Sequence, residues 1–278
     1  ALRQTKKNSI GTFIDPTGTD QADSIIHTLN AGRAVAGFDC GRFTILKSPL
    51  GVKIEWNESG SACGTIENPL SIIEGVQKLI DEGATAIGGV SVIHGVTREI
   101  SIAHMQGKIP NPSGVVEAII THLISHVFGV PTAHAPMPYY LEVKHPTIMN
   151  PRASAEFIST PHYFSVLKGL HNAPQLVPVE TLDQVPAEHI SLNNIGAMVL
   201  PASALGGIPA LAAEYSDIPL IAVRENSTIL NVTNDVMKMG NIVEADTYLE
   251  AAGIVLALKN GINLDAIRRP IQARVEAV

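Results

Sequence analysis

Residues 145–174, HPTIMNPRASAEFISTPHYFSVLKGLHNAP, hold the densest set of groups in this chain that could do chemistry. Three histidines, an arginine, a lysine, a glutamate and several hydroxyls fall around two expected helix starts. Asn150-Pro151 and Thr160-Pro161 each read as an N-cap followed by proline at the first helical position. A helix start exposes unpaired N–H groups and a partial positive charge, so it holds anions. Arg152 and Ser154 fall in the first turn of the first of these helices, where a carboxylate or phosphate would lie, and His145 and His162 flank the same stretch. The chemistry expected here is binding of a small anion with imidazole as acid or base.

Further polar groups stand where apolar runs end. His94 follows GGVSVI, His134 ends PTAH, and Arg224-Glu225-Asn226 follow IPLIAV. In open parallel sheets ligands bind beyond the carboxyl ends of the strands, so these are candidate site positions. Any one of His94, His134, His145 and His162 could serve as acid or base. Arg152 and Arg224 are read as clamps for a carboxylate, since guanidinium is always charged and binds it bidentately. Glu225 would orient a histidine or act as a base, and Asn226 would contact substrate. Gly206 and Gly207, in SALGG ahead of a helix, would let backbone N–H groups approach an anion. Each has a plain structural counterpart: a satisfied histidine, a tight turn. The kit predicts that Arg152, His134 and Arg224 line one cleft.

His122 and His126 lie four apart with Glu117 five residues ahead, a spacing that puts two imidazoles on one helix face. Leu123 stands where the HExxH glutamate would be, and an amphipathic helix explains the pair more cheaply. Cys63, in GSACG before a helix start, is a nucleophile candidate, although a small buried cysteine is commoner. GxGxxG, P-loop and GxSxG patterns are all missing, so no nucleotide cofactor and no α/β-hydrolase elbow are expected. No cofactor is predicted; a divalent metal stays open.

The bulk numbers narrow the class. The 278 residues are 45% hydrophobic and 16% charged, which calls for a substantial core. A formal net charge of −7 argues against a nucleic-acid binder. Two cysteines make no disulfide framework and fit a reducing compartment, so a cytoplasmic location is expected. No apolar run is long enough to span a bilayer, and no signal peptide is visible.

These groups need elements to position them. Residues 9–14 read as a strand, 20–31 as a helix ended by Gly32, and 34–38 as a short strand. Residues 43–46 and 51–56 read as two strands joined by the turn 47–50, and 59–69 as a small-residue loop. Asn68 caps a helix that begins at Pro69 and runs to about Glu82. A strand at 84–93, a long loop at 95–113 with a short helical piece in it, a helix at 114–128 and a strand at 130–134 follow. Residues 173–188 read as a linker or a surface crossover. Strands at 197–200, 219–223 and 241–244 then alternate with helices at 208–215 and 247–259. The pattern predicts an α/β fold of mainly parallel sheets flanked by helices, with an N-terminal lobe over 1–180 and a Rossmann-like C-terminal lobe over 190–278.

Residues 114–125 (GVVEAIITHLIS), 130–136 (VPTAHAP), 150–174, 206–233 and 248–270 together resemble a family catalogued as a domain of unknown function, widespread in cyanobacteria and other bacteria. Its members open with Pro-Thr-Gly followed by glycines. Pro16-Thr17-Gly18 match the first three, and Thr19-Asp20-Gln21 follow in place of the glycines. That departure implies an N-terminal part of the site that is either altered or supplied by a separate chain. Relatives commonly carry another residue at the position of Cys63, which weakens it as a nucleophile. The resemblance implies a fold and a site location and carries no activity.

Together these readings predict an enzyme acting on a small anionic metabolite, hydrolase or lyase chemistry being preferred to isomerase because no redox or kinase motif is present. The alternatives are a ligand-binding regulatory protein without turnover and a structural subunit. The partners expected are the metabolite and further copies of the chain in a homo-oligomer, with neither nucleic acid nor membrane.

Overall fold

The computed structural model describes residues 1–58, 61–137, 162–181, 184–228 and 230–271. Contacts divide the chain into two compact units, Ala1–Glu180 with Pro186–His189 and Thr181–Val185 with Ile190–Val278.

The first unit runs β1 (Leu2–Arg3), β2 (Ser9–Ile14), α1 (Ala22–Ala36), β3 (Asp39–Ile45), β4 (Val52–Trp56), β5 (Ala62–Ile66), α2 (Pro69–Asp81), β6 (Ala86–His94), α3 (Arg98–Met105), α4 (Ser113–Phe128), β7 (Thr132–Met137), α5 (Tyr163–His171) and β8 (Gln175–Leu176). Its main sheet has the order β3-β2-β6-β4-β5, with β7 also on β6. β3, β2, β6 and β7 are parallel; β4 joins the far end of β6 in parallel and β5 returns antiparallel to β4.

Helices cover both faces. Ile10, Ile14, Ala86, Val90 and Val92 pack under α1 and α5, with Ile25, Leu29, Tyr163 and Leu167. Phe13, Ile54 and Ile87 pack under α2 and α4, with Ile72, Val76, Val116, Ile120 and Ile124. β6 is therefore buried on both sides, which is why AIGGVSVI reads as a near-continuous apolar run. Gly88 faces Tyr163 so closely that a Cβ would stand 2.0 Å from the phenol oxygen.

Several local expectations change. α1 continues through Gly32, whose bare face admits Phe38, Leu167 and Cys40, and ends before Gly37 at φ +69°. The left-handed glycine is the stop, so residues 34–36 are helical and the strand begins at Asp39. The segment 62–66, read as loop, is β5; small side chains let it lie along β4 beneath α4. β3 and β4 do not pair with each other: β3 joins β2 and β4 joins β6. The helical piece expected in the loop after β6 is α3, started by Thr97, whose hydroxyl accepts from the Ile100 N–H at 3.3 Å. In the expected linker, β8 pairs with β1.

The second unit alternates β9 (Met198–Pro201), α6 (Ile208–Tyr215), β10 (Leu220–Val223), α7 (Asn234–Met237), β11 (Ile242–Ala245), α8 (Tyr248–Lys259) and α9 (Leu264–Ile267). Its sheet, β11-β10-β9, is parallel. Ala210 and Ala213 of α6 pack on Leu220 and Ala222, while Ala251 and Ile254 of α8 pack on Ile221 and Val223, so one helix covers each face. The α/β class with parallel-rich sheets flanked by helices is what the alternating pattern requires.

Candidate functional site

β6 and β7 run side by side with Gly89 opposite His134 and Ser91 opposite Pro136. Side chains at alternate strand positions share a face. Ser91 and His134 thus both face the layer that holds α4, and Glu117 lies one turn into that helix. The three side chains form a line. Ser91 Oγ lies 2.9 Å from His134 Nε2, and His134 Nδ1 lies 3.2 Å from Glu117 Oε1. A carboxylate only accepts, so Nδ1 carries the proton and donates it to Glu117. Nε2 of the neutral ring is then left with its lone pair toward the Ser91 hydroxyl, which donates to it.

Burial sharpens this geometry. Ser91 is 0% exposed. The His134 imidazole is fully enclosed and the Glu117 side chain is 21% exposed, so the line opens to solvent at its carboxylate end. Buried polar groups are expected to be paired, and each member here has a partner. On the opposite face of β6 a second polar pair is enclosed: the Tyr163 phenol and the Thr12 hydroxyl meet at 2.8 Å. Burial pushes the Tyr163 phenol well above its ordinary range, the Thr12 bond pulling weakly the other way.

The other expected site residues are distributed as follows. His94 ends β6 opposite Lys53 of β4, beside the exposed Lys53–Glu67 ion pair. His162 precedes α5 and its carbonyl accepts from the Ser165 N–H at 3.0 Å. His145, Arg152 and Ser154 lie outside the described residues. Gly206, Gly207, Arg224, Glu225 and Asn226 belong to the second unit, at the carboxyl ends of its strands.

In that unit Arg224 is held by Asp246 at 3.0 Å and Glu244 at 3.5 Å. Glu225 accepts from the Tyr248 N–H at the start of α8, and Asn226 Nδ2 donates to the Tyr248 hydroxyl at 2.7 Å. Gly207 caps α6, and Gly206 packs on Val232, where a Cβ would stand 2.8 Å from a methyl carbon. A cleft of about 590 Å³ in the same unit is lined by Glu244, Leu258, Asp265 and Arg268, among others. Among the described residues no group of three or more His, Cys, Asp or Glu side chains could hold a metal ion. His122 and His126 of α4 form no such group.

The geometry can be set beside known proteins. The family described as a protein of unknown function (DUF3326) matches residues 1–268. The chain belongs to that family. An uncharacterized lipoprotein of Synechococcus sp. is 31% identical over 272 residues, covering 96% of this chain and 73% of the relative. No solved structure matches.

For this DUF3326 chain the chemistry therefore has to be read from its own side chains. A hydroxyl, an imidazole and a carboxylate in line can move a proton from the hydroxyl to the ring while the carboxylate fixes the ring and balances the charge that forms. Of the three, only His134 stands among the site residues expected from the sequence. Ser91 was legible as the one polar side chain inside GGVSVI, an exception in a strand buried on both faces. Glu117 was noticed only beside His122 and His126, because its approach to His134 depends on how α4 lies on β7.

Proposed function

We propose that this DUF3326 protein is an enzyme that hydrolyses a small anionic metabolite, with Ser91 as nucleophile, His134 as acid and base, and Glu117 orienting the ring. The observation that carries the reading is the continuous line of 2.9 and 3.2 Å contacts from Ser91 through His134 to Glu117. In this reading Ser91 Oγ attacks the acyl carbon of an ester or amide and its proton passes to His134 Nε2. The same proton then goes to the leaving group as the acyl bond to it breaks. Water, deprotonated by Nε2, releases the acid and restores Ser91. The anionic character of the substrate rests on the roles expected for Arg152 and Ser154 from the sequence.

A second reading, a ligand-binding protein without turnover, is favoured by one observation: Ser91 is 0% exposed, so a substrate needs an opening to reach it. Location also has two readings. The free cysteines fit the cytoplasm, and the relative's name, a lipoprotein, favours a lipid-anchored form; cell fractionation distinguishes them. No described helix is long and apolar enough to cross a membrane.

The test is turnover of a panel of small carboxylate-bearing esters and amides by wild type, Ser91→Ala and His134→Ala, with circular dichroism to confirm folding. Hydrolysis by wild type that both folded variants lose supports the enzyme. Hydrolysis unchanged in both removes Ser91 and His134 from the mechanism. Ligand-induced stabilisation without turnover supports the second reading.

A further inference from the structure

We propose that Asp15 is a recognition carboxylate for an ammonium group on a small ligand bound at the carboxyl ends of β2, β6 and β7. Asp15 follows the last residue of β2, and its N–H continues the ladder by donating to the Val90 carbonyl at 2.9 Å. Because Ile14 pairs with Val90, the next step in register puts Asp15 beside Ser91. On the other side of β6, Ser91 pairs with Pro136 of β7. One row across three parallel strands thus carries Asp15, just past the end of β2, Ser91, three residues before the end of β6, and Pro136, one residue before the end of β7, near the strand ends where open parallel sheets take their ligands.

The carboxylate itself is half used. Asp15 Oδ1 accepts from the Thr17 N–H at 3.0 Å and from the Thr17 hydroxyl at 2.9 Å. Asp15 Oδ2 is buried and has no partner among the described residues, and the residue is 1% exposed. A buried carboxylate oxygen left without a donor is costly, so its retention calls for a donor that arrives from outside the fold. The turn that carries it is closely fitted: Gly18 lies against Met137 at the end of β7, where a Cβ would stand 1.9 Å from the sulfur. Thr17 is exposed, so Asp15 lies one layer below the surface.

The donor is a positive one. A buried negative charge is best compensated by an opposite charge that also hydrogen-bonds. A divalent metal would need further ligands, and the described residues offer no group of three or more metal-ligating side chains. An ammonium needs one carboxylate and a few neutral acceptors. The inference rests on the hydrolase reading only for its location beside Ser91. Its test reads binding rather than turnover, so either idea can fail while the other stands.

The experiment is two-dimensional amide NMR of the wild-type chain titrated with ethanolamine and glycine, against ethylene glycol as the neutral control, with melting midpoints of wild type and Asp15→Asn. The expected result is saturable shifts at Thr17, Gly18 and Ser91 with the two amines and none with the glycol. Asp15→Asn is expected to melt at or above the wild-type midpoint without ligand and to lose the amine shifts. Equal response to ethylene glycol would overturn the ammonium assignment. So would an absence of amine shifts in wild type, or a lower midpoint for Asp15→Asn, which would mean that Oδ2 already has an internal partner beside the Thr17 donors to Oδ1. The wild-type titration decides the matter even where the variant does not fold.

Discussion

Glu117 Oε1 stands 3.2 Å from His134 Nδ1, and this contact decides which ring nitrogen carries the proton. With Nδ1 protonated, Nε2 is left to take the Ser91 proton. Glutamine at position 117 keeps the size of the side chain but removes the charge that steadies an imidazolium and permits the wrong tautomer. Glu117→Gln is expected to slow any Ser91-dependent reaction by about 10²- to 10⁴-fold. It should also lower stability by about 1 kcal/mol, the difference between a charged and a neutral acceptor for the Nδ1 proton. Single-turnover rates and urea midpoints check the two effects. A variant at wild-type rate would remove Glu117 from the relay.

Gly88 is required by Tyr163. A methyl group there would stand 2.0 Å from the phenol oxygen, far inside contact distance. Gly88→Ala should destabilise the first unit by about 1–3 kcal/mol through overpacking. Adding Tyr163→Phe removes the clashing oxygen, so the double variant should lose less than the sum of the two singles. Additive losses in urea unfolding would show that the two sites do not touch.

The enclosed phenol also gives the first unit a pH signature. Tyr163 keeps its proton in the fold because burial raises its pKa, whereas in the unfolded chain it ionises near pH 10. Above that pH the unfolded state has fewer protons than the folded one, so stability falls as pH rises. Its contribution is intact below about pH 10 and is lost above it by up to about 1.4 kcal/mol per pH unit. Urea midpoints at pH 8 and pH 10.5 should fall further for wild type than for Tyr163→Phe. Equal falls would mean that the phenol reaches solvent in the fold.

The two thiols should differ in reactivity. Burial pushes the Cys40 thiol up, Arg33 opposing this and Asp39 adding to it, and its Sγ–H points to the Leu29 carbonyl at 3.4 Å. Cys63 is partly exposed on β5. A thiolate-specific reagent should modify one cysteine in the folded chain, Cys63, and both in denaturant. Fast modification of Cys40 in the fold would contradict its placement.

The parts legible in the sequence are those set by period and by local chemistry. Alternating apolar runs and helical spacings located β9, β10, β11, α6 and α8 within a residue or two, and Asn68-Pro69 marked the start of α2. The misreadings share a physical cause: side-chain packing between distant segments. Gly32 looks like a helix stop until Phe38 and Leu167 are seen filling the space beside it, and ACGTI looks like a loop until β4 offers its edge. The site followed the same rule. His134 was visible as a polar residue ending an apolar strand. Its meeting with Ser91, 43 positions earlier, is fixed by the β6–β7 register, which no local pattern encodes.

The central claim is that Ser91 is a nucleophile activated by His134. The most direct measurement is labelling of the folded protein with a small fluorophosphonate, followed by mass spectrometry of the modified peptide. The account predicts a single adduct on Ser91 in wild type, absent in Ser91→Ala and His134→Ala, and slower to form in Glu117→Gln. A folded wild-type protein whose Ser91 stays unlabelled, or one labelled equally with and without His134, would contradict it.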